Sequence, residues 1–168
     1  MILREVQKEE LGLLRQMSIS TFTDAFGHLN SKENMSLYLS EKMSAEHIKE
    51  EFDRPGSTFY FAMINQQIVG YMKLNTGEAQ NEPLENAMEV ERIYVLKQHQ
   101  GKRIGGIMLE HAISLARQEG IQVFWLGVWD QNVRAIAFYE RMGLKVFDTH
   151  SFMLGTDRQT DKLMKMEL

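Results

Sequence analysis

The 168 residues carry 19 lysines and arginines against 23 aspartates and glutamates, a net charge of -4, and no cysteine. The length fits one domain, 1–168, able to bury roughly 70% of the surface its unfolded form exposes, so cross-links are not needed. The missing cysteines exclude disulfides, thiolate metal sites and a catalytic thiol, and the acidic balance without a basic run argues against a nucleic-acid partner.

Ile2 to Val6 alternates weakly and predicts an edge strand. From Lys8 to about Phe26 the apolar residues Leu11, Leu14, Met17, Ile19 and Phe22 recur at helical spacing. Ser31, a good N-cap, opens a second helix with Met35, Leu37, Tyr38 and Leu39. A third, from about Ser44 to Phe52, stops at Arg54-Pro55-Gly56. The period then changes to two. Thr58 to Ile64 and Ile68 to Leu74 read as a hairpin around Asn65-Gln66-Gln67, followed by a polar loop over 75–86. Met88 to Val95 alternates, which puts Glu89, Glu91, Ile93 and Val95 on one face and Val90, Arg92 and Tyr94 on the other.

After a glycine-rich turn, Ile104, Met108, Ala112, Leu115 and Ala116 predict an amphipathic helix that Gly120 closes. Val123 to Trp129 is nearly all apolar, as in a strand covered on both faces. Asn132 is placed to cap a helix whose stripe is Ala135, Phe138, Tyr139 and Met142, ended by Gly143. Two strands around Gly155-Thr156-Asp157 complete a mixed α/β sheet with helices on its faces. The 12 methionines read as flexible core filler.

The segment Gln100-Gly101-Lys102-Arg103-Ile104-Gly105-Gly106 joins a strand to a helix. A helix start leaves N–H groups unpaired and its dipole favours an anion. Glycine lets the backbone approach a phosphate, and Lys102 and Arg103 add positive charge. The segment lacks the Gly-Lys-Ser/Thr of a P-loop and the glycine spacing of a dinucleotide site. Taken alone, it is equally well a plain strand-to-helix turn whose glycines serve packing.

Glu91-Arg92-Ile93-Tyr94-Val95, then Gln100 to Gly106, then Asn132, Ala135, Phe138-Tyr139 and Met142-Gly143 together resemble the acetyl-CoA motifs of the GNAT acetyltransferase family. The family's loop reads Gln/Arg-x-x-Gly-x-Gly/Ala. Gln100 and Gly105 match, while Arg103 stands at the middle glycine and keeps its amide in place provided it is helical. Thr21 to Phe26, Asn34 to Leu39, Trp125 to Trp129, His150-Ser151-Phe152 and Gln159-Thr160-Asp161 are further similar to PaiA-type bacterial spermidine/spermine N-acetyltransferases.

The resemblance implies a mixed, mostly antiparallel α+β sheet with helices on both faces, splayed to admit acetyl-CoA as co-substrate. Its pantetheine arm would lie along Ile93, Tyr94 and Val95, bonding the backbone at Ile93 and Val95. Its pyrophosphate would sit on Gln100, Gly101, Lys102, Arg103, Ile104, Gly105 and Gly106. Asn132 and Ala135 would contact the coenzyme, with Tyr139 near the sulfur. The acceptor implied is a primary amine, a polyamine above all, attacking directly in a ternary complex.

Attack requires a neutral amine. For a lysine-like amine of pKa ~10.4 that form costs about 4.6 kcal/mol at pH 7. Glu89 and Glu91 are the candidate carboxylates for a water-relayed proton, with a solvated face or a salt bridge as their plain reading. Tyr139 is the candidate acid for the leaving thiolate. Phe22, Asp24, Phe26 and Tyr38, with Glu91, are candidates for an amine site through charge and cation–π attraction, although at helical spacing the aromatics suit a core at least as well. The five histidines lack metal-ligand spacing, so no metal is expected; His28 and His99 fall near the expected cleft but suit the surface better. No apolar run reaches the roughly 18 residues of a membrane span, and the early charges of MILREVQKEE do not fit a signal peptide, so a cytoplasmic location without a membrane partner is expected. A homodimer is left open. The alternatives are a GNAT enzyme for an amino acid, an antibiotic or a protein N-terminus, and a non-catalytic CoA-binding module.

Overall fold

The computed structural model describes residues 1–168. Seven strands, β1 (Ile2–Glu5), β2 (Ser57–Ile64), β3 (Gln67–Thr76), β4 (Ala87–Val95), β5 (Val123–Trp129), β6 (Lys145–Leu154) and β7 (Asp157–Glu167), form one sheet in the order β1-β2-β3-β4-β5-β7-β6. Five α-helices, α1 (Leu11–Phe26), α2 (Lys32–Lys42), α3 (Ala45–Asp53), α4 (Ile104–Gln118) and α5 (Val133–Arg141), accompany it. Every neighbouring pair of strands is antiparallel except β4 and β5, which are parallel.

Local chemistry sets the boundaries. Ser31 and Ser44 accept from the backbone N–H groups of Asn34 and His47, each at 3.1 Å, and Asn132 Oδ1 accepts from that of Ala135 at 3.2 Å. Each bond satisfies a donor that the helix start leaves unpaired. Gly120 and Gly143, at φ +73° and +97°, end α4 and α5 in the left-handed conformation. The β2–β3 turn is one residue shorter than the sequence pattern suggests. Ile64 pairs with Gln67, and Asn65 and Gln66 both take positive φ, the tight two-residue turn that suits the strands' twist.

The sheet buries apolar residues on both faces. On one, Met72, Met88, Val90, Phe124 and Leu126 pack against Met108, Ala112 and Ala116 of α4 and Ile136 of α5. On the other, Phe59, Phe61 and Tyr71 meet Leu14 and Met17 of α1 and Ile48 of α3. Each buried Val, Leu, Ile, Phe or Met among them contributes roughly 1.5–3 kcal/mol by leaving water. Seven of the methionines are among the buried residues.

One feature of β4 overturns the expected alternation. Lys73 pairs with Arg92 but Leu74 pairs with Val90, so Glu91 is an extra residue, a β-bulge. Beyond it the faces exchange. Ile93 and Val95 join Met88 and Val90 on the α4 side, while Tyr94 packs with the α1 and α3 cluster. Glu89 and Glu91 therefore do not share a face with Ile93 and Val95. The same region opens the sheet: β4 and β5 pair only at Ala87–Val123, Met88–Phe124 and Glu89–Trp125, then part.

Candidate active site

From Val90 to Val95 the β5-facing edge of β4 has no strand partner. The gap is the mouth of a cleft of about 1600 Å³. That exceeds the roughly 300–1,000 Å³ of a pocket for one small ligand. All of the candidate residues line it: Glu89, Glu91, Ile93, Tyr94, Val95, Gln100 to Gly106, Asn132, Ala135, Tyr139, and Phe22, Asp24, Phe26 and Tyr38. His28 and His99 do not; His47 and His150 do. The two histidines named from the sequence sit on a short turn after α1 and on the turn before α4, outside the gap.

At one end lies the glycine-rich turn. Gly101 has φ +77°, and Arg103, the residue before α4, has φ +61° and ψ 10°. The condition set for Arg103, a helical backbone, is not met: it takes the left-handed conformation that glycine adopts without penalty. No side chain caps this end of α4. The N–H groups of its first turn are left for an anion, with the dipole in support. Gln100 Nε2 donates to the Val95 carbonyl at 3.1 Å and ties the turn back to β4.

In the middle, the two carboxylates of β4 have different surroundings. Glu91 lies 2.6 Å from Lys73 Nζ and 3.4 Å from Arg92, and these cations also hold Glu51 of α3, at 2.9 and 2.8 Å. Burial acts against Glu91's charge, but Arg92 and Lys73 outweigh it and keep its pKa below the ordinary value. Glu91 is thus engaged in a salt-bridge network. Glu89 is 3% exposed and has no cation. It accepts from Asn75 Nδ2 at 3.0 Å, Asn81 N at 2.9 Å and Asn81 Nδ2 at 2.7 Å. Burial raises its pKa despite these bonds.

Opposite, the stripe Ala135, Phe138, Tyr139 and Met142 is only half-buried, because it faces the cleft; the fully buried residue of α5 is Ile136. Burial alone pushes the Tyr139 hydroxyl up to about 12. At the far end Phe22 stacks on Tyr38 with centroids 4.4 Å apart, and the cluster continues through Phe26 to Trp129 and through Tyr38 to Phe152. The aromatics are core and cleft wall at once, while Asp24 is exposed.

Sequence reasoning missed Glu51, Lys73, Asn81, Glu82, His150 and Asp161, all of which line the cleft. His150 and Asp161 lay within the stretches similar to PaiA-type enzymes without a site role, and for Glu51 the signal was the charge at Lys73 and Arg92 within apolar strands, which demands a buried counter-charge.

Over residues 23–144 the chain matches the Acetyltransferase (GNAT) family, and it belongs to that family. It is an acetyl-CoA-dependent N-acetyltransferase. An uncharacterized N-acetyltransferase in the pepI 3′ region of Lactobacillus delbrueckii subsp. lactis is 39% identical over 165 residues, 98% of this chain and 95% of its own. The spermidine N(1)-acetyltransferase of Thermoplasma acidophilum is 26% identical over 151 residues, 88% of this chain and 89% of its own. The fold is that of the crystal structure of the PaiA N-acetyltransferase from Thermoplasma acidophilum in complex with coenzyme A: TM-score 0.80, 24% identity, covering 99% of this chain and 98% of that one.

Proposed function

We propose that the enzyme acetylates a cationic primary amine, a polyamine such as spermidine or spermine, by direct attack in a ternary complex. One observation carries this reading. The cleft is continuous from the uncapped start of α4 to an aromatic wall flanked by Asp24 and by the pair Glu82 and Asp161, whose two negative charges exceed the one positive charge His150 can carry between them. Acid attracts ammonium, and an aromatic face adds about 0.5–2 kcal/mol per contact. The likeness to the spermidine N(1)-acetyltransferase of Thermoplasma acidophilum supports the same choice.

The chain fits the co-substrate. The first-turn amides of α4, with Gly101 to Gly106, suit the pyrophosphate. The unpaired edge at Ile93 to Val95 suits the amides of the pantetheine arm. Asn132 and Ala135 sit at the start of α5 beside it, with Asn132's side-chain oxygen committed to the helix cap. Bound there, acetyl-CoA supplies an activated acetyl thioester.

Two residues manage protons. Glu89 receives the amine's proton, relayed through water; each unit by which burial raises its pKa lowers that uphill transfer by about 1.36 kcal/mol. Glu91 is held ionised by Lys73 and Arg92 and serves as architecture. Tyr139 gives its proton to the leaving thiolate. A coenzyme-thiol release assay with an amine panel tests the reading. Release with spermidine or spermine supports it, and release only with monoamines or amino acids rejects the polyamine. One observation favours a second reading: Lys42 and Arg54, both exposed, line the same cleft and would suit an acceptor that also bears a carboxylate.

A further inference from the structure

Residues 77–86 link β3 to β4 and carry little regular pairing. Three consecutive side chains fasten this strap across the place where β4 and β5 part. Gln80 Oε1 accepts from Trp125 Nε1 on β5 at 2.7 Å. Asn81 donates twice to Glu89 on β4. Glu82 Oε1 meets His150 Nδ1 on β6 at 2.8 Å, while His150 Nε2 lies 3.2 Å from Asp161 Oδ2 on β7. A ring with a carboxylate on each nitrogen is satisfied only when both nitrogens carry protons, as the imidazolium. Apolar contacts of Ala79 and Leu84 hold the ends of the strap, so its middle depends on the polar clasps.

We propose that His150 is a positioning residue for acetyl transfer: as a cation between Glu82 and Asp161 it pins the strap to β6 and so keeps both Asn81 donors on the Glu89 carboxylate. The proposal rests on the reading of Glu89 as proton acceptor. Glu82 from the strap and Asp161 from β7 are the charged groups facing the ring; Asp130, after β5, adds negative charge beside Asp161. Arg158 of β7 is engaged with Ser151. Burial opposes the ring's charge, but the two carboxylates outweigh it and raise the pKa above the ordinary 6.5. The clasp is therefore complete below about 6.5 and is lost as pH rises through the raised value.

The test is the protection of the Asn81 amide against hydrogen exchange, corrected for intrinsic rate, from pH 5.5 to 9 in the wild type, His150→Gln and Glu82→Gln. Wild-type protection should fall roughly tenfold as His150 deprotonates, the scale of one charge-assisted bond, and both variants should be low throughout. In parallel, kcat of the wild type should exceed that of His150→Gln about tenfold near pH 6, converge with it above the histidine's titration, and leave KM for acetyl-CoA unchanged. Asn81 protection that is indifferent to pH and to both substitutions overturns the clasp, and Glu82→Gln decides the matter if His150→Gln fails to fold. A Glu89→Gln enzyme with full turnover would instead overturn the proton-acceptor reading, while the exchange data still judge the clasp.

Discussion

Glu89 and Glu91 accept hydrogen bonds from the same nitrogen, Asn75 Nδ2, at 3.0 and 2.7 Å, yet their acidities move in opposite directions. The difference is the cations: Lys73 and Arg92 reach Glu91, and Glu89 meets only amides. A carboxylate locked to two cations is a weak base, whereas one buried among neutral donors is poised nearer to an amine.

Glu89→Gln should therefore lower kcat by about 10²-fold, in the range of general base catalysis, with acetyl-CoA affinity retained. Steady-state kinetics with calorimetry checks this, and a kcat within threefold of wild type would reject the role.

Glu51→Gln should act on stability. Glu51 is buried and bridges Arg92 and Lys73. Removing one partner of a buried ion network leaves charge uncompensated and costs about 3–5 kcal/mol. Urea denaturation should show the midpoint falling accordingly; a loss under 1 kcal/mol would mean that Glu91 alone compensates both cations.

Tyr139→Phe should reduce turnover by roughly 10²-fold while coenzyme binding stays near wild type. Unchanged thiol release would dispose of its role as acid.

Arg103→Gly separates conformation from charge. The left-handed backbone costs a non-glycine residue about 1–2 kcal/mol, and glycine's extra unfolded freedom offsets about 0.5–1 of that. Thermal unfolding should show a gain of up to about 1.5 kcal/mol, and coenzyme binding should become less salt-sensitive as a cation leaves the turn. A marked loss of stability would refute the strain argument.

Low pH should loosen β1 from the chain after it. Arg4 donates to both oxygens of Glu10, and that pair with the Gln7 amide lowers Glu10 from 4.5 to about 2. Its contribution is complete above 4.5 and disappears as pH falls from there through about 2. Arg4's side chain is 40% exposed, so screening limits the effect to under about 1 kcal/mol. The stability difference between wild type and Arg4→Gln at pH 7 should vanish near pH 2.

Caps, breakers and the change of period from helix to strand were legible in the chain, because each acts within a few residues. Ser31, Ser44 and Asn132 sit where their side chains open a helix, and Gly120 and Gly143 where their backbone freedom closes one. The turn at Gln100 to Gly106 was legible as a strand-to-helix turn for the same reason, but nothing within it told an anion site from plain packing. Register could not be read. The bulge at Glu91 turns Ile93 and Val95 to the opposite face, and nothing within β4 announces it, since a bulge is a relation to β3. Only the folded chain brings Glu51 to Arg92, 41 residues away, and Glu82 to His150, 68 residues away. Which carboxylate is locked and which is held among amides depends on those distant partners, because burial and counter-charge are supplied by neighbours in space.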